Sequence, residues 1–386
     1  MISFLTKDQK IHYEEFKEFI KTNVEPNAAK WDYNQEIPNE FISQYAKTGY
    51  LGSNIPKEFG GKGWDYVTFG LLNEAIGRGI SSLTDLLTIQ AMVSTTLIKW
   101  GTPKQKSKWL NPLAKGEVIG AYALTEPNVG SSLKSLETKF IRQGDKYILS
   151  GSKKWTSFGE KADLFLVFGF DGEKSISCLL PKDTPGLEII PIKNMMGFKA
   201  AHMAQLNFYN IEISKDDMIG KPGFALSYVA PIGLHYGRIS TSCSALGLLR
   251  ACFEESIMYS AQRKIGNKFV GAEGMIQTLI AQMGTNLNAA SLLCYSACKA
   301  EDEKTPDVYE KVQMAKYFTS KAVVNAASDA VQIHGANGCH ESSNVARYYR
   351  DSKIMEIIEG TTQIHEKMLA KTFLDKASKL KTRVGN

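Results

Sequence analysis

The feature that most constrains this chain is a double change of hydrophobic rhythm along its length. From Thr6 to about residue 120 the apolar residues recur at helical spacing, beginning with Ile11, Phe16, Phe19, Ile20 and Val24. Thr6-Lys-Asp-Gln9 just before them has the form of a capping box. Pro26, Pro38, Pro56 and Gly60-Gly61-Lys62-Gly63 divide this part into short helices and loops. From about 121 to 230 the rhythm becomes strand and turn. Phe140–Leu149 predicts a hairpin turning at Gly144-Asp145, and Asp171-Gly172 after the apolar run Leu164–Phe170 predicts another. From about 235 long helical periods return: Phe318, Ala322, Ala326, Ala330 and Ile333 mark one face of a helix stopping at Gly335–Gly338. The expectation is an α+β chain with an N-terminal helical domain over 1–120, a middle β-barrel or sandwich domain over 121–232, and a C-terminal four-helix bundle over 233–386.

Composition narrows the class. The 386 residues are 43% apolar, which excludes disorder and leaves ample material for a core in two or three domains. No apolar run reaches the ~20 residues of a membrane span, and Met1–Asp8 lacks the form of a secretory signal. A soluble cytoplasmic protein is expected. Net charge is 46 − 40 = +6, with basic and acidic residues interleaved. Lys153-Lys154 is too short for a nucleic-acid patch, and the densest basic stretch, Lys376–Arg383, reads as a solvated helix end. The positive balance is modest and would attract polyanionic ligands only mildly. Cys178, Cys243, Cys252, Cys294, Cys298 and Cys339 include no CxxC pair, so reduced, mostly buried thiols are expected and no metal site.

Four local signatures carry chemistry: Tyr122–Ser132 at the helix-to-strand transition, Gly151–Ser157 after the first hairpin, Gln332–Gly338 at a helix end, and Arg350–Gln363. In that order they resemble the acyl-CoA dehydrogenase family of FAD enzymes over nearly the whole chain. Desaturating a thioester means removing an α-proton and passing a β-hydride to flavin N5, with a carboxylate on one face of the Cα–Cβ bond and the flavin on the other. The resemblance places the base in Glu-Gly-Thr, at Glu359, whose apolar neighbour Ile358 would desolvate it and make it more basic. It implies that the Glu359 amide polarises the thioester carbonyl, and that Gly360, Ser131 and Arg238 contact substrate. It further implies that Tyr122, Leu124, Thr125, Gly130, Ser131, Trp155, Thr156 and Ser157 line the flavin. Arg263, Gln332 and Gly335 would grip the pyrophosphate and adenine from a neighbouring subunit, with Thr361 and Gln363 completing the cofactor site. A homo-oligomer, tetramer or dimer, and an electron-acceptor flavoprotein partner follow from the same resemblance.

The chain departs from the family in places. Arg263-Lys-Ile-Gly-Asn267 lacks the usual aromatic, Ala336 replaces a glycine, Ser132 stands for an aspartate, and His235-Tyr-Gly-Arg238 keeps the arginine but loses an acid. Gly237 occupies a position where some branches carry the base, so Glu359 is the remaining candidate. These features are most similar to the acyl-ACP dehydrogenases that make hydroxy- or methoxymalonyl extender units for polyketides. A short polar acyl-ACP is the expected substrate; His202, His334 and His340 are either satisfied structural groups or polar residues accommodating it. The alternatives are a short-chain acyl-CoA dehydrogenase of fatty-acid or amino-acid catabolism, an acyl-CoA oxidase, and a non-catalytic flavin scaffold that binds a carrier protein. A monooxygenase on the same fold would not need the Glu-Gly-Thr carboxylate.

Overall fold

A computed structural model describes residues 5–384, with side chains described to residue 377. The sequence readings of Met1–Phe4 and of the side chains beyond Ala377 lie outside the described residues. Six helices come first: α1 (Lys7–Asn23), α2 (Glu25–Asn34), α3 (Asn39–Lys47), α4 (Tyr66–Gly79), α5 (Ser81–Trp100) and α6 (Pro103–Lys115). Thr6 and Gln9 form the predicted capping box on α1. Thr102 and Gln105 form a second on α6, with Pro103 in its first turn and Gly116 closing it in the left-handed region. Pro26 starts a helix instead of breaking one, because a first-turn amide has no helical partner to lose. Phe16, Ile20 and Val24 are buried as expected, but Ile11 is 47% exposed; Tyr13 takes the inward position.

Seven strands follow: β1 (Gly120–Ala123), β2 (Lys139–Gln143), β3 (Lys146–Thr156), β4 (Leu164–Asp171), β5 (Lys174–Pro181), β6 (Leu187–Pro191) and β7 (Ala204–Ser214). They form one mixed sheet in the order β1-β4-β2-β3-β7-β6, with β5 also on β4. Both predicted hairpins are present: Gln143 pairs with Lys146 around Gly144-Asp145, and Asp171 pairs with Lys174 around Gly172. The strand Leu164–Phe170 is buried for most of its length, which explains its unbroken apolar run. After a π-helical turn at Ala225–Val229 come α7 (Ala230–Gln262), the short hairpin β8 (Lys264–Ile265) and β9 (Lys268–Phe269), then α8 (Gly274–Asp302), α9 (Val308–His334), α10 (Ala336–Cys339), α11 (Asn344–Ile357) and α12 (Thr362–Val384). The helix read from Phe318 ends at His334 as the glycine signal suggests, but α10 adds one more turn inside the segment expected to be loop.

The chain packs as two compact units. One comprises residues 1–29, 66–81 and 238–386; the other comprises 30–65 and 82–237. The second is built around the sheet, and its core joins Met92, Val93 and Leu97 of α5 to Tyr122, Leu164, Leu166 and Phe168. In the first, α9 packs against α8, α11 and α12, and α4 packs against α1 and α8. Gly77 and Gly247 allow backbones to touch there: an added Cβ would lie 2.2 Å from the Ser244 carbonyl oxygen and 2.0 Å from that of Glu74, respectively. Cys178, Cys243, Cys252, Cys294 and Cys298 are buried free thiols and Cys339 is an exposed one. Among the described residues, no helix is long and apolar enough to cross a membrane.

Candidate active site

In the sheet unit, the predicted segments Tyr122–Ser132 and Gly151–Ser157 meet. Lys154 donates its amide to the Thr125 carbonyl at 2.9 Å. Lys153, with no exposed side-chain surface, donates Nζ to the Leu124 carbonyl at 2.9 Å and to Glu126 Oε1 at 2.7 Å. Burial pulls the Lys153 ammonium down to about 8 against the pull of Glu126. For Glu126 the balance runs the other way. Burial pushes its carboxyl up, but Lys153 and the amides of Glu137 and Thr138 outweigh that and leave it below the ordinary range. This buried pair was not legible in the sequence, where Lys153-Lys154 reads only as too short for a nucleic-acid patch; the signal for it is an acid and a base standing inside two adjoining motifs.

Just beyond Lys153 the β3–β7 register slips. Trp155 sits at that bulge with φ +62° and 45% exposure, turned out of the sheet. Thr156 is buried and its Oγ1 has no hydrogen-bond partner in the protein. Ser157 Oγ donates to Asp85 Oδ2 at 2.7 Å, so a buried carboxylate of α5 stands behind the last motif residue. Sequence reasoning missed Asp85, the one acidic residue of α5. Tyr122 is fixed by a 3.1 Å bond from its hydroxyl to the Ala230 carbonyl and by the Phe168 ring at 5.0 Å. Leu124 is buried and Thr125 half-buried. Gly130 and Ser131 are exposed, and nothing lies within 4 Å of where a Gly130 Cβ would stand.

The helical unit holds the other signatures. α11 ends at Ile357, and the chain then turns through Glu359 (φ +54°) and Gly360 (φ +99°) before α12. Left-handed backbone is unusual for a glutamate and must be held by its surroundings. Arg238, buried on α7, donates Nε to the Glu359 carbonyl at 3.3 Å. Lys316, fully buried on α9, donates Nζ to the Met355 carbonyl at 2.7 Å and reaches the Gly360 carbonyl at 3.5 Å. His365 lies behind the turn, its Nε2 3.2 Å from where a Gly360 Cβ would be, and its Nδ1 bonded to Gln313 Oε1. Burial, with Lys316 and Arg238 adding to it, lowers the His365 imidazole to about 3, so it is neutral. Thr361 accepts the Ile364 and His365 amides at the start of α12, and Gln363 is exposed beside it.

Arg263, Gln332 and Gly335 gather at a different place on the same unit, on exposed surface. Tyr259, one turn before Arg263, donates its hydroxyl to the His334 carbonyl at 3.3 Å, and the Tyr259 and His334 rings lie 4.1 Å apart. The end of α7 is thereby tied to the end of α9. Each of the three histidines has a hydrogen-bond partner within the protein. His202 bonds Ile37 and Glu160, His334 Nδ1 bonds the Ala330 carbonyl, and His340 Nδ1 pairs with Ser342 Oγ. Among the described residues, no group of three or more His, Cys, Asp or Glu is placed to hold a metal ion.

An aromatic turned out at a bulge, an orphaned buried hydroxyl beside it and open space over Gly130 fit a flat ring with hydrogen-bonding edges, as in a flavin. Such residues in the sheet unit suit a flavoprotein. The chain belongs to the acyl-CoA dehydrogenase family: it matches the family's N-terminal domain over residues 6–117, its middle domain over 121–211 and its C-terminal domain over 227–374. An acyl-CoA dehydrogenase of Bacillus subtilis is 32% identical, covering 96% of this chain and 99% of that protein. The mitochondrial short-chain specific acyl-CoA dehydrogenase of Rattus norvegicus is 31% identical over 92% and 87%. The butyryl-CoA dehydrogenase structure from Megasphaera elsdenii superposes with a TM-score of 0.92 at 27% identity, covering 97% and 100%. Two further structures are a prolyl acyl carrier protein oxidase, AnaB (TM-score 0.90, 26% identity, 95% and 99% covered), and FkbI, for biosynthesis of a methoxymalonyl extender unit (0.86, 27%, 93% and 99%). The protein is an oxidoreductase that dehydrogenates the CH–CH bond of acyl thioesters with FAD.

Proposed function

We propose that Glu359 is the base of this reaction and that the substrate is a short polar acyl group carried on an acyl carrier protein. The observation that carries the first part is the Glu359 turn itself. A glutamate held at φ +54° by Arg238, with neutral His365 and buried Lys316 behind it, is a presented carboxylate rather than a helix cap. In this reading the Glu359 carboxylate takes the α-proton, and its backbone amide donates to the thioester carbonyl as charge develops there. Gly360 leaves room for the acyl chain at the turn. FAD, when bound, accepts the β-hydride. Tyr122, Leu124, Thr125, Gly130, Ser131, Trp155, Thr156 and Ser157 hold it, with the Thr156 hydroxyl supplying a bond that the protein alone leaves unused. Ser131 and Arg238 complete the substrate side.

Arg263, Gln332 and Gly335 act on a second copy's cofactor in this reading, with Thr361 and Gln363 serving the site of their own chain. Support comes from their exposure and from Ile265 and Phe269, which are 63% and 46% exposed on the hairpin beside Arg263. The oligomer is a dimer or tetramer, working in the cytoplasm and passing electrons to a flavoprotein acceptor. For the carrier-protein substrate, support comes from the retained Arg238 beside Gly237, and from the likeness to the prolyl carrier-protein oxidase and to FkbI. On a hydroxyl-bearing C3 the same two losses give an enol, which tautomerises to the aldehyde.

The test is anaerobic bleaching of the purified yellow protein by a panel containing butyryl-CoA, 3-hydroxybutyryl-CoA and glyceryl-ACP. Faster bleaching by glyceryl-ACP is expected. Preference for butyryl-CoA would assign a short-chain acyl-CoA dehydrogenase, and bleaching by none would leave a flavin scaffold.

A further inference from the structure

Lys316 is a lysine with no exposed side-chain surface, in the middle of α9, and packing alone does not call for one there. Removing an ammonium from water is costly unless its surroundings use the charge. Its Nζ donates to the Met355 carbonyl at 2.7 Å, one of the last four carbonyls of α11, which have no partner within their own helix. It also reaches the Gly360 carbonyl at 3.5 Å, so one ammonium spans both ends of the turn that contains Glu359. A neutral donor would satisfy Met355 equally well. A charge in that place does something further: bonded to carbonyls on either side of Glu359, it lies within electrostatic reach of that carboxylate.

We propose that Lys316 is a positioning residue for catalysis, clamping the end of α11 to the Gly360 carbonyl and holding the Glu359 carboxylate ionised. This rests on the reading of Glu359 as the base. The charged and titratable groups around Lys316 are Glu359 on the turn, Glu356 on α11, Arg238 on α7 and His365 on α12. From α8, Cys294 meets α9 at Thr319, one turn away. Arg238 is permanently charged and His365 neutral, so Lys316 is the one cation of this group whose charge can change near neutral pH. Burial pulls it down to about 8, with Glu359 pulling it back up. Below that pH the ammonium favours the ionised carboxylate; above it the favour is withdrawn.

The experiment compares Lys316→Met and Lys316→Gln with the wild-type holoenzyme. It follows the rate of anaerobic flavin bleaching by the most active of butyryl-CoA, 3-hydroxybutyryl-CoA and glyceryl-ACP between pH 5 and 10. Glutamine keeps a donor for Met355 and so isolates the charge if the methionine variant folds poorly. Both variants should bleach about tenfold more slowly at pH 7, and their acid limb should move up by ~1 unit because a neighbouring cation no longer favours the carboxylate. FAD content should be unchanged. A glutamine variant whose pH profile superposes on the wild type would overturn the proposal, whatever its thermal stability. Glu359→Gln is run alongside. If it bleaches at the wild-type rate, the base assignment has failed and the clamp with it; if it is inert while the lysine variants behave as wild type, the clamp alone has failed.

Discussion

A single buried imidazole gives the site a measurable acid sensitivity. His365 is lowered to about 3 in the fold from an ordinary 6.5. Between those values the unfolded chain binds a proton that the folded chain refuses, so this residue's contribution to stability is lost as pH falls through that window. The free energy of unfolding should therefore drop more steeply with acid in the wild type than in His365→Gln, as read by urea titrations from pH 7 to 4; parallel slopes would contradict it. None of this was legible in the sequence, where His365 is one residue in a helix. Glu359 was legible because its Glu-Gly-Thr context is local. Lys316, Arg238 and His365 act on it from three other helices, and no spacing rule connects residues 43 or 121 positions away from it.

At the scale of elements, helix and strand placement followed from local chemistry: capping residues, glycine turns and period. What the periods did not reveal is which charged residues point inward. Glu74 is 1% exposed on α4 and collects the Tyr13 hydroxyl from α1, Arg250 from α7 and the Tyr295 hydroxyl from α8. Burial, with Glu74 adding to it, pushes both phenols above their ordinary range. One carboxylate thus joins four helices, and no local pattern in the sequence marks it. Glu74→Ala takes this carboxylate from half-buried Arg250 and from the two buried phenols and should cost about 2–3 kcal/mol, measured by chemical unfolding of the holoenzyme. A loss below ~1 kcal/mol would mean the four helices are held by apolar packing alone.

For the whole molecule, similarity extends over all three family domains, and the order of motifs along the chain was the legible part. The buried partners of the motif residues were less so, because Asp85 behind Ser157 lies outside the motifs and the pair Lys153–Glu126 joins two of them. Arg263, exposed beside the Ile265 and Phe269 hairpin, is proposed to reach a neighbouring copy's FAD. Arg263→Ala should yield a protein of unchanged thermal unfolding when saturated with FAD but pale after gel filtration. The flavin-to-protein absorbance ratio checks this, and full retention of colour would place the cofactor's phosphates elsewhere.

The proposed base is the carboxylate carried on the left-handed turn at Glu359. Anaerobic single-turnover bleaching by the best thioester, compared between wild type and Glu359→Gln, tests it directly. A variant with an unaltered flavin spectrum and retained thioester binding, but a bleaching rate lower by roughly 10²–10⁴, is the predicted result. Bleaching within tenfold of the wild type would show that the α-proton leaves by another route.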